Sequence, residues 1–463
     1  MRNFDYSSLR LSAAVLLTCL ISHAADSTLM LTTIARFNGT NGMGGWTLIQ
    51  SSDGSFYGTS EAGGQYNLGT VFRLTPGGNL LAVASFDGTN GALPESGLIQ
   101  DETGVLYGTA LFGGTGVTGS VFSSHGTIYK TTTNGSFTIL HSFNSTDGSG
   151  PIARLTRGSD GNLYGTTSKG GPYTNAHGLT LGTVFRVTTN GVFTNLAAFN
   201  GTNGAAPIAE LIEGADDNFY GTTTRGGAAD LGIVFRMTPS GDITALATFY
   251  GTNGSTPYAG LVQHRDGNFY GTTRFGGTSD NGTFFRMDTN GSLTTLASFD
   301  STTGTRPRAT LAIVDDSRFY GVTQLGGSPP SMQTALGTVF QVTTDGTITR
   351  LISFSLERGT QPFCTLVKST NGLYYGTTDR TVFRLDNAIA PVIQSLTKTD
   401  NLVTLTWSSV PDQIYKLECS PNLNSPNWSE VPGAGVLVAT SSNTTFEYSE
   451  SEPQRVYRAV LRP

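Results

Sequence analysis

The chain has 463 residues, of which 13% are charged and 60 are glycine, and its formal net charge at pH 7 is −6. The acidic balance and the lack of any basic run argue against a nucleic-acid partner, because phosphate binding needs clustered lysine and arginine. Hydrophobic residues make up 37% and aromatic residues 10%, enough for a packed core, which argues against a disordered glycine-rich chain. Such a composition favours many short strands joined by glycine-rich turns.

Residues 1–25 are predicted to be a signal peptide. Arg2 and Arg10 precede the apolar run LSAAVLLTCLI at 11–21, and small alanines at 24–25 suit a cleavage site. The run is too short to span a bilayer as a mature anchor. We therefore expect a secreted or cell-surface protein, with the periplasm as the alternative location, and no transmembrane anchor.

A repeat with a period near 50 residues follows. It is marked by an aromatic-Gly-Thr stretch, as in DGNFYGTT at 266–273, whose tyrosine recurs seven times. The positions are Tyr57, Tyr107, Tyr164, Tyr220, Tyr270, Tyr320 and Tyr375. The successive spacings of 50, 57, 56, 50, 50 and 55 residues are typical of a solenoid or a propeller.

Each period contains four strand-like runs, which in the fifth copy lie at 257–263, 268–273, 282–287 and 293–299. Asp-Gly, Asn-Gly or similar pairs join the first run to the second and the third to the fourth, which predicts two two-residue hairpins per period. Four-stranded antiparallel units of this kind favour an all-β propeller. A parallel β-helix is the alternative, but its turns would follow one another every few residues.

The two ends of the repeat region complement each other. The run at 31–37 resembles the fourth run of a period but lacks the first three before it. The run at 381–385 resembles the third run of a period but has no fourth run after it. An N-terminal strand that completes the last blade would close the ring and remove an open sheet edge. The sequence therefore predicts a seven-bladed β-propeller of four-stranded blades over 26–386, closed by an N-terminal strand.

The repeated patterns LYGTT..GG and GTVFR.T..G resemble the Gloeo/Verruco (GloVer) tandem repeat of secreted bacterial proteins over about residues 31–386. They are also similar to kelch blades, in which a glycine pair follows the second strand. The seventh copy, YGTTDRTVFR at 375–384, departs from the pattern because it lacks this glycine pair. The resemblance implies a propeller and no established activity.

The chain after the repeats, residues 387–463, is predicted to form a small β-sandwich. Its six or seven short alternating strands, with Trp407 and Tyr457 among them, resemble a fibronectin type III-like or immunoglobulin-like module. Cys364 and Cys419 fall in different predicted domains, so we expect two buried thiols rather than a disulfide.

The long connections after the second strand of each blade should lie together on one face, where variable loops on a rigid scaffold carry sites. The innermost runs should line the mouth of a central channel, with Glu95 among them. Candidate binding residues on this face and at the channel mouth are Phe112, His125, Arg154, Lys169, Tyr173, His177, Glu210, Arg225, Arg274, Arg308 and Arg380.

No catalytic, metal or cofactor motif stands out. The sequence lacks His-Glu-x-x-His, Gly-x-Ser-x-Gly and a phosphate-binding lysine motif. GTGVTG at 114–119 matches Gly-x-Gly-x-x-Gly, but no helix follows to meet a pyrophosphate. His125 and His177 from adjacent blades are a weaker alternative as a metal or acid-base pair. We therefore predict no cofactor, no metal and no catalytic residue.

Three functions remain open at this point. The favoured hypothesis is a binding or scaffold protein whose ligand is an extracellular glycan or protein. The second is an exported hydrolase or lyase acting on polysaccharide through paired carboxylates such as Glu95 and Glu210. The third is a purely structural surface or matrix component.

Overall fold

The structure is a computed structural model. It describes residues 29–115, 119–327, 336–387, 393–399, 401–409, 414–420, 428–449 and 456–461. The predicted signal peptide and most of the long connection after the second strand of the sixth repeat, at 324–337, lie outside the described residues. Contacts group Leu29–Asp386 into one compact unit and the described residues from Asn387 onward into another.

The first unit contains seven antiparallel sheets among its described residues. The short innermost strands are Ile49–Gln50, Ile99–Gln100, Thr156–Arg157, Ile212–Glu213, Val262–Gln263, Ala312–Ile313 and Val367–Lys368. The second strands are Phe56–Ala62, Leu106–Ala110, Leu163–Thr167, Phe219–Thr223, Phe269–Thr273, Arg318–Leu325 and Tyr374–Thr377. The third strands are Thr70–Leu74, Thr127–Thr131, Thr183–Val187, Ile233–Met237, Thr283–Met287, Thr338–Thr343 and Thr381–Asn387. The outermost strands are Leu80–Ser85, Phe137–Ser142, Phe193–Ala198, Ile243–Thr248, Leu293–Ser298, Ile348–Ser353 and, from the N-terminus, Leu29–Arg36.

Three further short elements belong to this unit. Met43–Gly45 and Thr305–Pro307 each pair with the second strand of their own sheet. A 3₁₀ turn, Val121–Ser123, lies in the long connection between the second and third strands of the second blade. These elements are additions to the four-stranded sheets and do not change the order of the four main strands.

The N-terminal strand Leu29–Arg36 pairs with Thr381–Asn387, the third strand of the last sheet. Just beyond the strand, Phe37 N donates to Arg380 O at 2.9 Å. The side chain of Thr32 donates to Asp386 Oδ2 at 2.7 Å. The predicted all-β propeller closed by its N-terminal strand is confirmed.

Hydrophobic clusters link each sheet to the next around the ring, including the last to the first. The aromatic pair of the repeat supplies much of this packing. The Phe269 ring lies 4.2 Å from that of Tyr220 in the preceding blade, and the Tyr270 ring lies 4.9 Å from that of Phe319 in the following one. One residue of the pair therefore faces each neighbour, because successive side chains of a strand point to opposite faces.

The glycine after this aromatic pair makes room for the third strand. A Cβ atom on Gly271 would lie 2.7 Å from Phe285 Cζ and 3.0 Å from Leu261 Cδ2. The backbone of Gly271 needs no positive φ, so the requirement is one of space. The Gly-Thr of the motif thus follows from the close packing of a blade around the phenylalanine of its third strand.

Gly271→Ala is expected to lower the free energy of unfolding by about 1–2 kcal/mol, because the added methyl must displace a fully buried ring. Gly77→Ala is the control, since its Cβ would meet nothing closer than Thr75 Oγ1 at 3.9 Å. Denaturant unfolding of both variants measures the difference. Equal stability of the two variants would contradict the packing argument.

The hairpin turns differ from the two-residue turns predicted. In the fifth blade, Gly267 N donates to His264 O and His264 N donates to Asn268 O, both at 2.9 Å, which closes a three-residue loop. Gly267 has a φ of 84°, whereas Asp266 does not adopt a positive φ. Instead, Asp266 accepts hydrogen bonds from Asn268 N at 2.9 Å and from the Tyr270 hydroxyl at 2.8 Å. The prediction was wrong because a type I turn with a glycine bulge lets the carboxylate bind its neighbours.

The innermost runs are also shorter as strands than predicted. In the fifth blade only Val262–Gln263 of the run 257–263 pairs with the second strand. Pro257 offers no N–H group, and Gly260 N donates to the Thr310 hydroxyl of the next blade at 2.9 Å rather than to its own sheet. The irregular part of each run is therefore free to line the centre of the ring.

The described residues of the second unit form two antiparallel sheets. One contains Ile393–Thr399, Leu402–Ser408 and Asn443–Ser449. The other contains Ile414–Ser420, Ser429–Glu430, Leu437–Val438 and Val456–Leu461. Trp407 and Tyr415 are fully buried in one core between them. Cys364 and Cys419 are both buried, and neither forms a disulfide within the described residues. The fibronectin type III-like identity of this unit stays a prediction.

Candidate binding site at the channel mouth

Seven equivalent segments, one from each blade, surround a central cavity of about 90 Å³. Each segment ends in a buried leucine directly before the innermost strand, and six of the seven begin with proline. The leucines are Leu48, Leu98, Leu155, Leu211, Leu261, Leu311 and Leu366, all at most 3% exposed. In every segment the residue one place before the leucine lines the cavity, and in six of the seven the residue three places before it does so too.

The wall formed by the last three blades and the first alternates aromatic rings with arginines. The Arg308 guanidinium lies 4.3 Å from the Tyr258 ring centroid and 4.9 Å from that of Phe363. The Trp46 ring stacks on Phe363 at 5.9 Å with an interplanar angle of 24°. On the other side, the Arg274 guanidinium lies 5.1 Å from the Tyr258 ring. These four blades therefore build one continuous stack of rings and cations.

Carboxylates approach the same arginines from the first two blades. The pKa of Glu95 is raised to about 7, chiefly by burial and also by the negative charge of Glu61, while the positive charge of Arg308 opposes the shift. Burial also raises the pKa of Glu61, again against the effect of Arg308. At neutral pH Glu95 is thus a mixture of the neutral acid and the carboxylate.

Glycines in two segments make room for a charged side chain of a neighbouring blade. A Cβ on Gly97 would lie 3.2 Å from Arg154 Cδ, and a Cβ on Gly260 would lie 2.9 Å from Glu210 Cγ. Arg154 is held in place by donation from its Nε to Leu98 O at 3.0 Å. Arg154 and Glu210 both line the cavity, and each side chain lies against the glycine of the neighbouring segment.

Of the candidates proposed from the sequence, Arg154, Glu210 and Arg308 line this cavity together, as does Glu95. Arg274 stacks against its wall through Tyr258.

The remaining candidates are not among the residues lining the cavity. Phe112 packs edge-to-face on Phe122 at 5.8 Å, and His125 Nδ1 lies 3.2 Å from Ser149 Oγ. The other five are exposed: Lys169, Tyr173, His177, Arg225 and Arg380. Within the described ranges, no group of three or more histidine, cysteine, aspartate or glutamate side chains could hold a metal ion.

Sequence reasoning missed Trp46, Tyr258, Phe363, Glu61 and Arg306 as residues near the mouth. A signal was present for two of them, because Tyr258 and Phe363 occupy the same place, three residues before the buried leucine, as Arg308. Alignment of the seven segments on that leucine therefore identifies the position. Trp46 lies one place closer to its leucine, in the only one of these segments without the proline, which obscured it.

The fold and this cavity define a β-propeller with a polar, aromatic-lined channel mouth. The chain belongs to the Gloeobacter/Verrucomicrobia repeat family, which it matches over residues 20–171 and 122–333, together more than half of its length. The predicted family resemblance is confirmed. No curated protein matches the sequence.

Solved structures of similar shape share little sequence with this chain. One is the extracellular domain of a putative hybrid two-component system from B. thetaiotaomicron, with 12% identity over 94% of this chain and 58% of that one, and a TM-score of 0.48. A putative 6-phosphogluconolactonase from Bacteroides uniformis is 14% identical over 91% of this chain and 99% of that one, with a TM-score of 0.44. An α-L-arabinofuranosidase of Fusarium graminearum is 12% identical over 63% of this chain and 91% of that one, with a TM-score of 0.34. This chain thus spans little more than half the length of the first of these.

Among the residues that the structure describes, no helix has the length and apolar character needed to cross a membrane.

Proposed function

We propose that this protein is an extracellular β-propeller that binds a glycan or protein ligand at the mouth of its central channel. In this proposal residues 1–25 direct export, 26–386 form the binding domain, and 387–463 form a fibronectin type III-like module for spacing or attachment. The observation that carries the proposal is the convergence of seven segments, about 50 residues apart in sequence, on one cavity lined by aromatic and charged side chains. Membership of the repeat family, which the sequence resemblance links to secreted bacterial proteins, supports the location.

Binding of the mature protein to arrays of bacterial and plant glycans and to peptide panels tests the proposal. Tyr258→Ala should weaken binding at least tenfold, because aromatic rings in a partly buried depression carry much of the energy of recognition. Tyr250→Ala is the matched control, since the Tyr250 side chain is 59% exposed and lies outside the cavity. Loss of binding in both variants, or in neither, would contradict a site at the channel mouth.

A second candidate function is cleavage of a glycosidic bond, and Glu95 is the observation that favours it. A carboxyl whose pKa is about 7 is partly protonated at neutral pH and can donate a proton to a leaving-group oxygen. Glu210 lines the same cavity and supplies a second carboxyl group. Release of reducing ends or unsaturated products from bound polysaccharide, abolished by Glu95→Gln, would establish this activity.

A further inference from the structure

Arg308 lines the cavity at the channel mouth, and two further arginines are linked to it through shared aromatic rings, in a chain whose net charge is −6. Arg308 is sandwiched between the rings of Tyr258 and Phe363. Arg274 lies 4.9 Å and Arg306 5.4 Å from the Phe275 ring centroid. We call Arg274, Arg306 and Arg308 the arginine wall.

Each of the three guanidinium carbons lies within 5.4 Å of at least one aromatic ring centroid. Stacking on an aromatic ring occupies the face of a guanidinium and leaves its N–H edges free to donate hydrogen bonds in the plane. An arginine restrained in this way loses less conformational freedom when it binds an anion. The wall is therefore built to present donors rather than to neutralise charge internally.

The carboxylates of Glu61 and Glu95 interact electrostatically with Arg308, but no carboxylate among the described residues lies within ion-pairing distance of the arginine wall. In the described part of the chain, none of the three arginines forms an ion pair. Arg274 Nε is buried and has no hydrogen-bond partner there. Burial and the positive charges of Arg308 and Arg306 lower the pKa of Arg274, which is the expected consequence of uncompensated like charges.

We propose that the arginine wall binds the oxyanion of an acidic saccharide, either a uronate carboxylate or a sulfate ester. This inference rests on the proposed function, since it assigns a ligand class to the same channel mouth. Two oxygens of a carboxylate or of a sulfate ester match the fork of N–H donors on a guanidinium, and binding such a group would relieve the repulsion within the wall.

The rest of the cavity favours a saccharide over a peptide as the carrier of the anion. The carboxylates of Glu95 and Glu210 line the cavity and are able to accept hydrogen bonds from sugar hydroxyl groups. The hydroxyl groups of Thr47, Thr310 and Thr365 line the same cavity. A sugar acid offers hydroxyl donors to the carboxylates and an anionic group to the arginines. The partly exposed Trp46 ring provides a flat apolar surface at the rim.

Calorimetric titration of the mature protein with three oligosaccharides tests this inference. The probes are an oligogalacturonate, a sulfated oligosaccharide and a neutral oligosaccharide of similar length. We expect an acidic probe to bind at least tenfold more tightly than the neutral one, with affinity that falls as salt concentration rises. Arg308→Gln should weaken binding of the acidic probes at least tenfold. Arg308→Lys keeps the charge but not the forked N–H donors, so its affinity should lie between those of the wild type and Arg308→Gln.

Arg157→Gln is the matched control, because Arg157 is an exposed arginine that does not line the cavity. Unfolding curves of each variant establish that it is folded. A neutral probe that binds as well as the acidic ones, with no effect of Arg308→Gln, would overturn the anion site and leave the proposed binding function standing. Binding restricted to acidic peptides would overturn the saccharide class. No binding by any array ligand or probe would overturn both proposals.

Discussion

Leu31→Asp is expected to cost at least about 4 kcal/mol of the free energy of unfolding and to make the protein associate. Leu31 is 2% exposed and packs in the core cluster between the sixth and seventh blades, with Phe383 and Leu385 of the strand beside it. Removing the leucine leaves a cavity, and the aspartate must be desolvated or protonated there. Weakened pairing of Leu29–Arg36 would expose the edge of Thr381–Asn387, which invites strand addition by another molecule.

The control is Leu81→Asp, the same substitution in the outermost strand of the first blade, where Leu81 is 54% exposed. We expect this change to cost no more than about 1 kcal/mol, because it removes little buried apolar surface. Denaturant unfolding measures the stability of the two variants. Size-exclusion chromatography with light scattering measures whether each one associates. If both lose the same stability and remain monomeric, the N-terminal strand does not hold the ring closed.

Glu95→Gln is expected to stabilise the protein at alkaline pH relative to the wild type. The folded-state pKa of Glu95, about 7, lies above its ordinary value of 4.5, so between these values the unfolded state has released its proton and the folded state has not. The wild type therefore loses stability as pH rises from 4.5 to 7 and recovers none above it. The variant avoids this loss, which corresponds to roughly 3 kcal/mol.

The measurement is the difference in unfolding free energy between variant and wild type at pH 5 and at pH 8.5. Glu102→Gln is the control, because this exposed glutamate of the same blade carries the same charge in contact with water. Glu61→Gln should lower the pKa of Glu95, since the charge of Glu61 helps to raise it. If Glu95→Gln changes the unfolding free energy by the same amount at pH 5 and at pH 8.5, the Glu95 carboxyl is not held in a desolvated site.

The same substitution connects stability with recognition. A carboxylate at position 95 competes with an anionic ligand for Arg308, whereas the neutral acid does not. Binding of an acidic saccharide should therefore strengthen as pH falls through 7, and Glu95→Gln should remove that dependence.

Much of the fold could be predicted because its signals are local and repeat. The spacing of the tyrosines, the glycine in each turn and the orphan runs at 31–37 and 381–385 together indicated a closed ring of β-sheets. The turn geometry was mispredicted, because Asp266 uses its carboxylate to bind Asn268 N and the Tyr270 hydroxyl rather than its backbone to adopt a positive φ.

By itself, the sequence determined the strands, their order within each blade and the closure by the N-terminal strand, since these follow from turn residues and from apolar periodicity a few residues apart. Only the tertiary structure decided which side chains meet at the centre. Trp46 and Phe363 stack although more than 300 residues separate them in the chain. Arg308 and Tyr258 lie one repeat apart, and their contact depends on how neighbouring blades are turned about the axis. The physical reason is that ring closure brings distant segments together, and no local pattern encodes the distances it creates.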